Sequence, residues 1–210
     1  MTFTAACFLP HGHLLSYADD TQILDSAPSN HDDLLLLQSR AEENVLSLQH
    51  WFSLNSLKMN ANKTSLILLG TRNSLAKTEH FVIKVNDATI RPENQIKMLG
   101  VFLDPTLTWE PHVSHIVRRT YSILISLYKI RHHMSPEILK ILVQTHVIPH
   151  LQYCSSAWGG APKCHLDRLQ NTFHLAARPV SGLRRQDQLT PTLRVLGWPS
   201  VRSMVARRDF

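Results

Sequence analysis

Tyr17-Ala18-Asp19-Asp20 is the segment of this sequence best suited to chemistry. Two adjacent carboxylates repel each other, and a turn gains nothing structurally by holding both. A divalent cation relieves that repulsion. Phosphoryl transfer by two metal ions needs carboxylates fixed so that the ions bridge the attacking and leaving oxygens. Mg2+ suits such a pair, because it prefers oxygen ligands and keeps some of its waters. Taken in isolation, the same four residues also fit a plain acidic turn.

Other constellations are weaker. His112 and His115 lie three apart in a helical stretch, and Cys154, Cys164 and His165 are close in sequence. A structural zinc site needs about four ligands. No Cys-x-x-Cys occurs, so zinc is not expected. Trp51, Trp109, Trp158 and Trp198 are expected to pack rather than to stack on bases. Lys63 taken alone reads as a solvated loop lysine.

The elements that position these residues follow from periodicity. Leu14-Leu15-Ser16-Tyr17-Ala18 and Thr21-Gln22-Ile23-Leu24 flank the acids, which predicts a hairpin with the acidic pair at its turn. Loop composition at Ser26-Ala27-Pro28-Ser29-Asn30 supplies a helix cap. A helix is predicted over residues 32–57, with Leu34, Leu37, Ala41, Val45, Leu48 and Phe52 spaced by threes and fours. Residues 60–63 read as a polar loop and 64–69 as a strand. Residues 81–85 and 88–91 read as a hairpin around Asn86-Asp87, and 96–103 as one strand. From Pro111 the pattern turns helical. Helices are predicted over 111–131, over 136–147 with Ser135 as cap and Pro136 at the first position, and over 163–178, where Pro179 is expected to stop the helix. The fold class is therefore α+β, with its break near residues 104–109.

Charge divides at the same place. Residues 1–104 hold 8 Lys+Arg against 11 Asp+Glu, and residues 105–210 hold 14 against 5. A basic half suits a phosphate backbone, although it also fits an ordinary solvated surface. The three cysteines, Cys7, Cys154 and Cys164, are odd in number and widely spaced. No disulfide partner and a reducing, intracellular setting, cytoplasmic or nuclear, are expected. No apolar run approaches the ~20 residues of a membrane helix, and residues 1–9 are a poor secretory signal.

The hairpin and the segments C-terminal to it resemble the reverse transcriptases of non-LTR (LINE-type) retrotransposons, from their motif C onward. Tyr17-Ala18-Asp19-Asp20-Thr21-Gln22 resembles the catalytic hairpin. Trp51-Phe52 and Leu57-Lys58-Met59-Asn60-Ala61-Asn62-Lys63-Thr64 resemble the helix end and motif D. Leu99-Gly100-Val101-Phe102-Leu103-Asp104, then Leu107-Thr108-Trp109 and His112-Val113, resemble a later strand and its sequel. His150-Leu151-Gln152-Tyr153-Cys154, Leu169-Gln170-Asn171, Ala176-Ala177-Arg178 and Leu196-Gly197-Trp198-Pro199 resemble thumb and post-thumb segments. The order and spacing of these segments, over about residues 13–208, carry the resemblance more than any one of them.

The resemblance implies RNA-directed DNA polymerisation with Mg2+, an RNA template, an RNA/DNA or DNA duplex and deoxynucleotides, and no membrane. It implies that Asp19 and Asp20 bind metal and that Tyr17 lies by the nucleotide or primer end. Lys63 would be the motif D lysine near the phosphates. Residues 1–104 would be the C-terminal part of a palm, 105–180 a helical thumb and 181–210 a helical extension. Within the basic half, Arg118, Arg119, Lys129, Arg131, Lys140 and Arg168, together with Arg184 and Arg185, would track a duplex by its backbone. There are departures. The family's motifs A and B precede the hairpin, and residues 1–10 do not match them. Asn62 and Ala61 replace residues that are often Asp and Pro, and Arg178-Pro179 is expected to break a helix that commonly continues. An inactive portion of such an enzyme is the expectation, and a non-catalytic basic nucleic-acid-binding module is the alternative.

Overall fold

The computed structural model describes residues 9–28, 30–85, 88–183, 187 and 189–206. The chain is α+β and divides into two compact units, residues 1–96 and 97–210.

In the first unit, β1 (His13–Tyr17) and β2 (Asp20–Leu24) form an antiparallel ribbon. Helix α1 (His31–Leu54) comes next, capped by the Asn30 side chain, which accepts from the Asp33 N–H. Val45 and Leu48 are its buried residues on the expected stripe. The helix ends at Leu54, short of the predicted end: Ser56 holds φ of +55° and the Leu57 N–H returns to the Phe52 carbonyl at 2.8 Å, which closes the last turn. A 3-10 turn, Ala61–Lys63, and a single helical turn α2, Arg72–Leu75, lead to the hairpin of β3 (Ile83–Val85) and β4 (Ala88–Ile90). Its Asn86-Asp87 connection lies outside the described residues. Val45, Phe81, Ile83 and Val85 form the core here, with Leu37, Ala41, Leu66 and Leu68 packed around them.

Residues 64–69 do not form the predicted strand. Their one pairing among the described residues is a parallel bridge between Leu66 and Pro92. The Leu66 carbonyl accepts from the Glu93 N–H at 2.8 Å, and no further rung follows among the described residues.

The predicted strand over 96–103 is two strands, β5 (Ile96–Met98) and β6 (Val101–Leu103), paired as a hairpin. Between them Leu99 and Gly100 hold φ of +46° and +82°. Two successive positive φ values make the tight turn whose twist matches paired strands, and glycine adopts one without strain. The change from strands to helices falls after Leu103, as expected. The compact units divide earlier, after Ile96, because Val101 and Leu103 of β6 are buried in the second unit.

Helix α3 (Glu110–Ile130) buries Val113, Ile116, Leu124 and Leu127. A 3-10 turn, Arg131–His133, leads to α4 (Pro136–His146), whose Ser135 cap and Pro136 stand as predicted. Short helices α5 (Ile148–Gln152) and α6 (Ser155–Trp158) precede α7 (Lys163–Ser181). Then come α8 (Thr190–Leu196) and α9 (Val201–Ala206). Residues expected to form an appended extension belong to the same core: Leu193, Trp198, Val201 and Met204 are buried with Phe173 and Trp158.

Pro179 does not stop α7. The helix runs on to Ser181 and ends at Gly182, whose φ is +67°. An internal proline leaves the carbonyl four residues earlier without its donor. That carbonyl is Leu175 O, and the Tyr128 hydroxyl donates to it at 3.3 Å. A side chain from α3 thus supplies the hydrogen bond that the proline cannot.

Candidate functional site

The acids stand at the tip of the β1–β2 ribbon. Tyr17 pairs with Asp20 across the ribbon, and Ala18 and Asp19 make the two-residue turn. Cross-strand partners share a face, so Tyr17 and Asp20 project together. Leu15 and Leu24 lie on that face, and they are 54% and 53% exposed. Leu14 and Ile23 are half-buried on the other face. Ala18 holds φ of +53°, a conformation that costs a residue with a Cβ about 1–2 kcal/mol. Tyr17 is 68% exposed, and Asp19 and Asp20 are exposed as well.

The base of the ribbon is fixed to α1. The His11 N–H donates to Asn44 Oδ1 at 3.0 Å, and its ring meets Glu43 at 2.8 Å. Arg40 pairs with Asp25 just past β2 at 2.5 Å. Gly12 is required here: a Cβ would lie 2.4 Å from the Leu24 carbonyl oxygen. The helix therefore anchors the strands while their acidic tip projects.

Lys63 lies at the end of its 3-10 turn, exposed. The Asn60 side chain caps that turn by accepting from the Asn62 N–H at 3.0 Å, and Thr64 donates to the Asn60 carbonyl. Residues Lys58, Met59, Asn60, Ala61 and Asn62 line an open depression of about 460 Å³. Among the described residues no hydrogen bond or ion pair links Lys63 with Asp19 or Asp20. No group of three His, Cys, Asp or Glu side chains suited to a metal occurs among the described residues. The ribbon tip thus offers two carboxylates adjacent in sequence, both exposed.

The basic side chains of the second unit separate into two kinds. Arg168 reaches Glu110 at 3.3 Å and the Ser114 hydroxyl at 2.9 Å. Arg131 donates to the Tyr128 carbonyl and lies over the Tyr128 ring at 5.2 Å. Both are partly committed within the protein. Arg118, Arg119 and Lys129 are exposed on α3, and Lys140 is partly exposed on α4. None of these four forms an ion pair among the described residues. Arg184 and Arg185 lie outside the described residues.

Asp104 is a residue to which the sequence assigned no role. Its carboxylate accepts from the Trp109 N–H at 2.9 Å, the Thr108 N–H at 2.9 Å, and the Thr108 and Thr106 hydroxyls at 3.0 Å each. Trp109, the residue before α3, has φ of +65° and no capping side chain of its own. Asp104 orders the turn that leads into the helix, and the Thr108 hydroxyl it holds accepts from the Glu110 N–H at 3.4 Å. Burial works to raise its carboxyl, but the hydrogen bonds outweigh that and hold it below the usual carboxylate range. The signal available in the sequence was an Asp followed by Thr106 and Thr108 just before a helix.

His112, one turn into α3, is buried. Its Nδ1 is 3.5 Å from the Phe102 nitrogen, and its ring lies 6.1 Å from that of Trp158. Burial, with a smaller contribution from His115, lowers its pKa to about 4. It is a neutral core histidine that joins α3 to β6. Trp158 and Trp198 are also core residues, as expected.

No family model matches the chain, and no solved structure matches it. Curated proteins do. The chain is 26% identical over 172 residues, 80% of its length, to an RNA-directed DNA polymerase from the mobile element jockey of Drosophila melanogaster, of which the match covers 18%. It is 28% identical over 199 residues, 92% of its length, to a probable RNA-directed DNA polymerase from transposon BS of the same organism, of which it covers 21%. The chain spans about a fifth of the length of these relatives. Both are named as RNA-directed DNA polymerases of mobile elements, and the similarity extends over most of the chain, as the ordered motifs do. No helix among the described residues is long and apolar enough to cross a membrane.

Proposed function

We propose that this chain is part of the RNA-directed DNA polymerase of a LINE-type retrotransposon, and that it supplies metal-binding carboxylates and a duplex-holding helical unit. The observation that carries the reading is the place of Asp19-Asp20 at the tip of an antiparallel ribbon, Asp19 in its two-residue turn and Asp20 opening the second strand. Similarity to two RNA-directed DNA polymerases over 80% and 92% of the chain supports it.

In this reading the first unit is palm and the helical unit is thumb, including residues 181–210. Asp19 and Asp20 are the carboxylates that hold Mg2+. The ion, when bound, stabilises the charge that develops on the phosphoryl oxygens and on the leaving pyrophosphate. The two acids suit a hard cation. The anchored ribbon base keeps them at a fixed height, and Tyr17, beside Asp20, offers an exposed ring and hydroxyl to a nucleotide or primer end. Lys63, exposed at the end of its 3-10 turn, is the lysine that meets phosphate oxygens in this reading. Arg118, Arg119, Lys129 and Lys140 contact the backbone of an RNA–DNA or DNA duplex. Arg131 and Arg168 contribute less, because each already has protein partners.

Two carboxylates on an exposed ribbon hold Mg2+ weakly, because the ion dehydrates reluctantly. The 210-residue chain alone is therefore expected to bind duplex without extending a primer. Duplex affinity measured against salt tests this. Each phosphate contact contributes about one logarithmic unit per logarithmic unit of salt. Reversing Arg118 and Arg119 to Glu should reduce that slope by about two, whereas reversing Lys77 and Lys84, in the other unit, should leave it in place. Salt-independent binding, or none at low salt, would remove the duplex-holding reading. Template-directed extension lost in Asp19→Ala would show that this segment alone is catalytic.

A further inference from the structure

We propose that His115, His146 and His150 form, with Arg118 and Arg119, a phosphate site on the helical unit that takes up protons when a nucleic-acid backbone occupies it. The proposal rests on the duplex-holding reading above and adds proton coupling to it.

Three helices contribute. His115, Arg118 and Arg119 lie on one stretch of α3, His146 ends α4, and His150 lies in α5. Arg119 Nε donates to His150 Nε2 at 3.4 Å. The His115 ring rests against Phe102 of β6, with centroids 4.8 Å apart, and Lys97 Nζ stands 5.9 Å from the same Phe102 ring. Arg118, Arg119, Lys97 and His146 are exposed, and His115 and His150 are partly so.

The neighbouring groups that act on His115 and His150 are cations or other imidazoles. Besides burial, Arg119, His115 and His146 act on His150, while Lys97, Arg119 and Arg118 act on His115. No carboxylate is among them. Carboxylates do serve other arginines of the same unit, since Arg168 meets Glu110 and Arg202 meets Asp167. The cluster is different: Arg119 meets an imidazole, which accepts one hydrogen bond and leaves the guanidinium charge uncompensated. His112, the remaining histidine of this face, is buried and stays neutral near neutrality.

A phosphodiester supplies what the cluster lacks. Its oxygens accept from guanidinium forks and from imidazolium N–H groups, and these charge-assisted bonds are the stronger kind. Free imidazole titrates near pH 6.5, within reach of neutrality. In the free protein, burial and neighbouring cations disfavour protonation of His115 and His150. An anion between these cations reverses the local potential. Each imidazole then holds a proton more tightly; at His150 the proton that goes to Nε2 replaces the Arg119 hydrogen bond, and both N–H groups turn to the phosphate. By linkage the complex is tighter where that proton is available. Solvent supplies the proton, and no bond to carbon or phosphorus changes.

The test is the affinity of the 210-residue chain for a labelled RNA–DNA duplex, at fixed salt, from about pH 8 down to about pH 6. Affinity should rise about tenfold for each histidine whose pKa is raised by one unit. His115→Gln/His146→Gln/His150→Gln should keep the affinity seen at the alkaline end and lose most of the gain. His13→Gln/His31→Gln/His80→Gln, in the other unit, should keep the gain. Should the triple variant fail to fold, the exposed His146→Gln alone should lose part of it, and NMR titration of wild-type His115 and His150 should show higher pKa values with duplex than without. Binding that is retained but flat with pH, or a gain that survives the triple variant, would overturn this proposal alone. Absence of duplex binding at every pH would overturn the duplex-holding reading with it.

Discussion

The Tyr153 hydroxyl donates to the Leu99 carbonyl at 2.6 Å, holding the turn between β5 and β6 from a residue 54 positions later in the chain. The ring lies over Gly100, where an added Cβ would sit 3.2 Å from Tyr153 Cε1. Tyr153→Phe should cost about 1 kcal/mol, the usual net worth of such a bond. Gly100→Ala should cost more, about 1–2 kcal/mol, since φ of +82° also strains a Cβ. Urea unfolding of the two variants checks the order. Equal, negligible losses would mean that the tyrosine does not hold the turn.

Asp104 and His112 make the helical unit sensitive to acid. Both pKa values are depressed on folding, so the unfolded chain binds more protons and stability falls as pH falls. For His112 the contribution is complete above the ordinary value near 6.5 and is lost as pH falls towards about 4. The Asp104 contribution persists to lower pH and is lost through the range below 3.8. Thermal melts in this range should show the loss, and His112→Gln should remove its upper part. Asp104→Asn should cost about 2 kcal/mol near neutrality, because an amide NH2 cannot accept from the Trp109 or Thr108 N–H.

Tyr128 and Pro179 should be coupled. Tyr128→Phe leaves the Leu175 carbonyl without a donor and should cost about 1–2 kcal/mol. In a Pro179→Ala background the new N–H can serve that carbonyl, and the same substitution should cost clearly less. A double-mutant cycle by chemical denaturation measures the difference. Strict additivity would mean that the hydroxyl does not substitute for the missing N–H.

The ribbon tip should hold a divalent ion weakly. Mn2+, used as a paramagnetic probe, should broaden NMR signals near Ala18 and Thr21 only at high concentration, and Asp19→Asn/Asp20→Asn should abolish the effect. Ala18→Gly should stabilise the turn by up to about 1 kcal/mol, since Ala18 holds φ of +53°. Broadening centred elsewhere would detach metal binding from these acids.

Local pattern was enough to place the main elements. Short apolar runs on both sides of Asp19-Asp20 gave the ribbon and its turn, threefold and fourfold spacing gave α1 and α3, and Ser135-Pro136 gave the start of α4. These signals lie within a few residues of what they specify. The ordered segments resembling LINE-type polymerases were likewise legible along the chain, and the similarity over most of its length agrees with them.

What the tertiary structure decided depends on partners distant in sequence. Pro179 reads as a helix stop unless Tyr128, on another helix, supplies the lost donor. Residues 64–69 have strand composition, yet among the described residues they meet a partner at one bridge only, Leu66 with Pro92. Asp104 looks like an ordinary acid after a strand until four donors converge on it. The basic residues are alike in composition, but Arg168 meets Glu110 while Arg119 meets His150. Propensity and periodicity act through neighbours along the chain. Hydrogen-bond satisfaction and charge neutralisation depend on which groups meet in space, and packing determines that.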